Sequence, residues 1–276
     1  MEPKLQRRVQ RYGWDRAAAS YEPFWRDQLR PAHDELVRKA ALKSGERVVD
    51  VACGSGQITF RAAEAVGAEG TVLGLDISAK MVAGADADRA ERGTENVTFR
   101  RADAEQLGCD DAAYDVALCS LGLMYVPLPA VAVEEMHRCL VPAGRIAVSV
   151  WGERRNCGWA EIFPIVDHRV QSDVCPMFFS LGAPGAIESV LTGAGFRDVE
   201  VTRLVVELAY RNEEDAIGAA FLGGPVALPY GRFDDDTKRA VEEEYLASLA
   251  PFRDGNGYRV SGEFVVASAS RGVSAA

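Results

Sequence analysis

The stretch VVDVACGSGQ, residues 48–57, does most to limit what this chain can become. Val48, Val49 and Val51 favour an extended strand, and Gly54-Ser55-Gly56 lets the backbone turn tightly and come close to a ligand. Residues 57–66 then read as a helix. A strand, a glycine turn and a helix in succession make a nucleotide-type site, because the turn presents unpaired backbone N–H groups with no side chains in the way. A dinucleotide fingerprint would place a third glycine three residues after the second, where Thr59 stands, and no Gly-Lys-Ser/Thr run of a phosphate loop occurs. Asp50 instead puts a carboxylate at the strand end, which suits a cationic or amino-bearing guest better than a pyrophosphate.

Around this loop, apolar runs alternate with helix-period stretches. Strands are expected at 47–51, 71–78, 96–105, 114–120 and 145–151, with helices at 57–66, from 79 toward 92, and at 128–140. Strands alternating with helices in this way build a parallel sheet covered on both faces, since right-handed crossovers place the helices there. Upstream, residues 1–42 read as an aromatic-rich helical cap that Pro23 and Pro31 divide into pieces. Downstream, 186–194, 213–222 and 234–249 read as helical and 197–208 and 258–268 as strands. The second domain then spans 43–276, with lid-like additions at 152–184 and 212–252.

With 276 residues, 48% of them hydrophobic, the chain can bury a sizeable core. A net charge of −10 argues against a phosphate-backbone binder. The one basic run, LQRRVQR at 5–11, reads as a solvated helix face, so no nucleic-acid partner is expected. The six cysteines form no CxxC pair and no zinc-like cadence with the three histidines, so they read as small buried hydrophobes in a reducing compartment, without a metal. MEPKLQRRVQ has no apolar signal core, and no run approaches the roughly 20 apolar residues that span a bilayer. A cytoplasmic protein without a membrane span is the expectation.

The GSGQ loop after an acidic strand end resembles the first motif of class I S-adenosylmethionine-dependent methyltransferases, and the resemblance extends along nearly the whole chain. It implies a doubly wound, seven-stranded, mostly parallel Rossmann-like α/β sheet whose last strand inserts antiparallel, and S-adenosyl-L-methionine as cofactor. By the same resemblance Asp50, Ala52, Gly54 and Gly56 hold the methionine part, and Asp76, 22 residues beyond Gly54, holds the ribose hydroxyls. Ile77 belongs to the same set, and Met81 lies against adenine. Asp103 accepts from the adenine amino group while Ala104 offers its backbone N–H, and Ser120 faces the methyl donor. The alternative reading of Asp76 is a helix N-cap, a task for which Ser78 is also available, and that of Asp103 a solvated turn acid.

EEMHRCLVPAGRIAVSVW, 134–151, looks like the corresponding segment of small-molecule methyltransferases related to the ubiquinone and menaquinone biosynthesis enzymes. Ala143 stands where the family's turn has its first glycine, leaving Gly144 to supply the bend. CSLGLMY, 119–125, departs from the Pro-Pro-Tyr element of nucleic-acid amino methyltransferases. WDRAAASYEPFW, 14–25, resembles the segment that closes over the cofactor. Tyr21 there either meets the methionyl carboxylate or, with Trp25, packs the cap onto the core.

The implied activity is methyl transfer to a small acceptor. Trp159, Phe163, Met177, Phe178, Phe179, Phe221 and Leu222 in the lid point to a hydrophobic organic acceptor, or else to a second core or a homodimer contact. His168 and Tyr125 are the candidates for a general base, and His137 is set aside because its helix leads away from the strand tips. Two other readings stand beside this one. A nicotinamide-dependent oxidoreductase is opposed by the missing third glycine, by Asp103-Ala104 and by the lack of a Tyr-x-x-x-Lys pair. A protein that keeps the cofactor without transferring a methyl group is the other.

Overall fold

In the computed structural model, which describes residues 2–170 and 177–272, the glycine loop sits at the middle of one twisted sheet. β1 (Arg47–Val51) pairs in parallel with β2 (Thr71–Asp76) on one side, and β2 with β3 (Val97–Arg101). On its other side β1 meets β4 (Tyr114–Ser120), which pairs with β5 (Leu140–Trp151), also in parallel. From Val48 to Val51 every residue of β1 is buried, as expected of a strand covered on both faces. The chain therefore reverses its winding between β1 and β4, and the ends of those two strands open the crevice where such sheets bind ligands.

The second half of the sheet closes with β6 (Phe196–Tyr210) and β8 (Gly257–Arg271), joined by a two-residue β7 (Arg253–Asp254) that pairs only with β8. β8 inserts antiparallel between β5 and β6, giving the order β3-β2-β1-β4-β5-β8-β6. β6 is the edge strand, and its alternating sequence leaves Val205 exposed on the outer face. The expected seven-stranded sheet is present, with β7 as a short eighth member.

The helices α2 (Gln57–Val66), α3 (Ala79–Arg92) and α4 (Pro129–Cys139) fall where the periodicity placed them. α1 does not break. It runs unbroken as Pro3–Ala40, 38 residues, through both Pro23 and Pro31. Each internal proline costs about 3 kcal/mol in an isolated helix. Here Ala17, Trp25, Leu29, Ala32, Leu36 and Ala40 are buried along it, and it packs against β4, β5 and β8, so burial outweighs the local penalty.

Ala143 is a second departure. It takes the left-handed conformation itself, at φ 61°, while Gly144 is needed for space: a Cβ there would lie 2.8 Å from the Val141 carbonyl oxygen.

Beyond β5 come α5 (Ile162–Asp167), α6 (Ala186–Gly193), α7 (Glu213–Ile217), α8 (Ala227–Tyr230) and α9 (Asp235–Ser248). α7 passes into a π-helical turn, Gly218–Leu222, where the absent side chain of Gly218 admits the ring of Phe24 from α1. Trp25 Nε1 donates to the Ala219 carbonyl oxygen of that turn at 3.1 Å. Part of the 152–184 addition, with Cys175, lies outside the described residues.

Candidate active site

Three backbone positions in five residues after β1 have positive φ: Ala52 at 58°, Gly54 at 55° and Gly56 at 83°. Leu121, just past β4, is a fourth at 55°. A left-handed alanine or leucine is strained by about 1 kcal/mol or more, and such strain collects at functional sites. The two loops press together, since a Cβ on Gly122 would collide with Ala52 Cβ. The periodicity of the sequence carries no sign of this pairing.

Beneath these loops lie three adjoining cavities that share Tyr21 as a wall residue. The first, about 90 Å³, collects the residues anticipated for the nucleoside, Asp76, Ile77 and Met81 after β2 and Asp103 and Ala104 after β3, together with Ala52 and Gly54, anticipated for the methionine part, and Ser120, anticipated to face the methyl donor. Asp76 ties the region together. Its Oδ2 accepts from Gly54 N–H at 2.9 Å and its Oδ1 from Ser78 N–H at 2.8 Å, while Ser78 Oγ caps α3 by accepting from Met81 N–H. Burial pushes the Asp76 carboxyl up to about 6. Asp103 is held by Arg7 of α1, 3.6 Å from its Oδ2, and the same guanidinium pairs with Glu105. Arg7, read from the sequence as part of a solvated face, is therefore a clasp between α1 and the end of β3.

The second cavity, about 30 Å³, is polar and is reached from the same loop. Asp50, Ser55, Gln57 and His33 line it. Asp50 is 1% exposed, and its Oδ2 accepts from Thr59 Oγ1 at 2.6 Å. Asp50 Oδ1, Ser55 Oγ and Gln57 Nε2 are all buried without a hydrogen-bond partner. Burial, with the Asp76 carboxylate nearby, pushes Asp50 up to about 7. Burial, with Arg61 nearby, pushes His33 down to about 4, so its imidazole is neutral. Three unsatisfied buried polar atoms around one small cavity are costly unless a guest completes them.

The third cavity, also about 30 Å³, is apolar and aromatic, walled by Trp14, Trp25, Trp151, Trp159 and Phe178. Tyr125 lines both the first and the third cavity, edge-on to Trp14 at 5.0 Å and to Phe178 at 5.3 Å between ring centres. Burial and the neighbouring Asp76 hold the Tyr21 phenol well above its usual range, so it stays a hydroxyl.

Two anticipated residues fall elsewhere. His168 is exposed at the C-terminal end of α5 and lines none of the three cavities. Gly56 is the N-cap of α2, packed so that a Cβ would lie 2.8 Å from the Phe99 ring, and it shapes the loop without lining the cavities. Among the lid residues, Trp159, Phe163, Phe178 and Phe221 are buried inside the chain, whereas Met177 and Leu222 are exposed. A larger open groove, about 1240 Å³, runs between α1 and α2, but charges on its walls are paired with one another, as Arg61 is with Asp34 at 2.8 Å.

A family model described as a methyltransferase domain matches residues 42–162, which hold the glycine loop and the first five strands. The chain is 30% identical over 261 residues to a nocamycin O-methyltransferase of Saccharothrix syringae, covering 88% of this chain and 91% of that protein. The chain belongs to the class I S-adenosylmethionine-dependent methyltransferases. This methyltransferase is also 27% identical over 187 residues to a demethylmenaquinone methyltransferase of Lactobacillus johnsonii, covering 62% of this chain and 75% of that one. Its fold superposes on the YcgJ protein of Bacillus subtilis with a TM-score of 0.61 at 15% identity, over 88% of this chain and 99% of that one. The family makes it a small-molecule methyltransferase that uses S-adenosyl-L-methionine. Among its described residues no helix is long and apolar enough to cross a membrane.

The chemistry of the cavities suits that cofactor. The donor and acceptor atoms left over around the polar cavity match an α-ammonium and an α-carboxylate, with Asp50 for the cation and Ser55 and Gln57 for the anion. His33, Ser55 and Gln57 were not expected as site residues from the sequence, and Arg7 was read there only as part of a solvated face. Only Ser55 and Gln57, inside the glycine motif, carried any local signal.

Proposed function

We propose that this methyltransferase acts on a small, hydrophobic, aromatic acceptor seated in the cavity of Trp14, Trp25, Trp151, Trp159 and Phe178. The supporting observation is the order of the cavities: polar, nucleoside-like and aromatic spaces adjoin, with Tyr21 shared by all three and Tyr125 between the last two. In this reading Asp50, Ser55 and Gln57 hold the methionyl end, Asp76 the ribose, and Asp103, Ala104, Ile77 and Met81 the adenine. When bound, S-adenosylmethionine supplies an electrophilic methyl group whose carbon–sulfur bonding pair leaves with sulfur as the acceptor's lone pair forms the new bond. The chain's own part is positioning and exclusion of water, to which the aromatic walls and α1 contribute. Tyr125, at the boundary, orients the acceptor. The three volumes together are well below the roughly 300 Å³ of a usual ligand pocket. Entry of a guest therefore requires the α1 wall, with Arg7 and Trp14, to yield.

A net charge of −10 and an Arg7 already committed to Asp103 and Glu105 support a small organic partner over a nucleic acid. The test is incubation with methyl-labelled S-adenosylmethionine and matched sets of aromatic and aliphatic acceptors, read by mass spectrometry. Methylated aromatic products at rates well above those of the aliphatic set are expected. Preferential methylation of aliphatic amines or of oligonucleotides overturns the reading.

A further inference from the structure

Trp159 stands in the short turn before α5, between two residues whose backbone N–H groups are hydrogen-bonded. Gly158 N–H donates to the Ser261 carbonyl oxygen at 2.9 Å, and Ala160 N–H to that of Cys157 at 3.0 Å. The Trp159 ring is 4% exposed, packed against Trp151 at 4.7 Å, Phe178 at 5.6 Å and Trp25 at 6.1 Å between ring centres. Its Nε1 is buried and has no hydrogen-bond partner. The contrast with Trp25 is direct, since that indole N–H is satisfied by Ala219. An unsatisfied buried donor costs about 1–3 kcal/mol, and indole N–H groups usually find a partner when buried.

Among the described residues lining this cavity there is no lysine, arginine, histidine, aspartate or glutamate. A carboxylate or ammonium brought here would lose its hydration without a counter-charge, at a large cost. The guest that complements these walls is therefore neutral and flat, with one oxygen lone pair at its edge. Resting on the aromatic-acceptor reading above, we infer that Trp159 Nε1–H is the specificity-determining donor of the acceptor cavity, selecting an uncharged planar ring system that carries a carbonyl or hydroxyl oxygen. Rings without such an oxygen leave the donor unspent and bind more weakly; anionic analogues are excluded by the uncharged walls.

The experiment uses indole-¹⁵N-labelled full-length protein with S-adenosylhomocysteine, titrated with 1-indanone and, separately, with indane, which has the same bicycle without the oxygen. The Trp159 indole resonance, identified by its loss in Trp159→Phe, is expected to move downfield with 1-indanone and not with indane. Trp159→Phe is expected to weaken 1-indanone by about tenfold, the size of one buried hydrogen bond, and to leave indane unchanged. The wild-type titration needs no variant, and the remaining indole resonances report whether Trp159→Phe stays folded. Equal weakening of both bicycles, or an indole resonance that moves with neither, overturns the inference. The cofactor reading is judged apart, by calorimetric binding of S-adenosylhomocysteine, which Trp159→Phe should leave unaltered. If neither bicycle binds while S-adenosylhomocysteine does, the aromatic-acceptor reading falls together with the inference.

Discussion

Asp50→Asn should make the empty protein more stable and a worse cofactor binder at the same time. Asp50 is 1% exposed, and burial holds its carboxyl at about 7 instead of its ordinary 3.8. A group whose folded value is raised contributes stability that is fully present below about 4 and is lost as pH rises through about 7. At pH 8 the wild type therefore carries an uncompensated buried charge, whereas asparagine carries none. Each tenfold in that proton equilibrium is about 1.4 kcal/mol, which sets a ceiling of about 4 kcal/mol on the gain. The asparagine amide is itself buried where Oδ1 has no partner, a cost of about 1–3 kcal/mol, so about 2 kcal/mol is the working figure. For a chain of this size that is a rise of about 4–8 °C in Tm at pH 8, shrinking as pH falls and vanishing only below about pH 4. The asparagine oxygen can still accept from Thr59, so the packing at that contact is retained. Binding moves the other way. Loss of one charge-assisted hydrogen bond, about 1.5–3 kcal/mol, weakens S-adenosylhomocysteine by roughly 10- to 150-fold in calorimetry. An unchanged or lower Tm for the empty variant at pH 8, or unchanged affinity, would refute the reasoning.

Two further expectations follow from individual positions. Ala143→Gly replaces a left-handed alanine at φ 61° at an exposed position near the start of β5; relief of strain slightly exceeds the added freedom of the unfolded chain, for a gain of about 0.5 kcal/mol by denaturant titration, and a loss of stability counts against the strain. His168→Ala should leave turnover and S-adenosylhomocysteine affinity within about twofold of wild type, because the exposed imidazole lines none of the three cavities; a loss of activity of roughly tenfold or more reinstates it as a base.

Much of the candidate site's gathering around the glycine loop was legible in the sequence. The valine-rich β1, the glycine turn and the acids at the ends of β2 and β3 are local patterns, and parallel crossovers then bring strand ends to one edge. Where local rules misled, packing had overruled them. Pro23 and Pro31 promise a broken cap, yet the buried stripe from Ala17 to Ala40 keeps α1 continuous. His168 has the chemistry of a base, and nothing in EIFPIVDHRV reveals that its side of α5 faces outward. Arg7 looked like one more solvated charge until Asp103 and Glu105 came within its reach.

By itself the sequence determined the class of fold, because strand, turn and helix preferences are written within windows of about ten residues, whereas the cofactor came from the likeness of the glycine loop to a known family motif. The aromatic cavity proposed for the acceptor was decided only by the tertiary structure. Trp14, Trp25, Trp151, Trp159 and Phe178 come from α1, the end of β5 and the segments on either side of α5, and no periodicity links them. Their meeting depends on α1 crossing the sheet unbroken. The unspent donor of Trp159 exists only once those rings have closed around it, since an indole N–H in an open chain is satisfied by water.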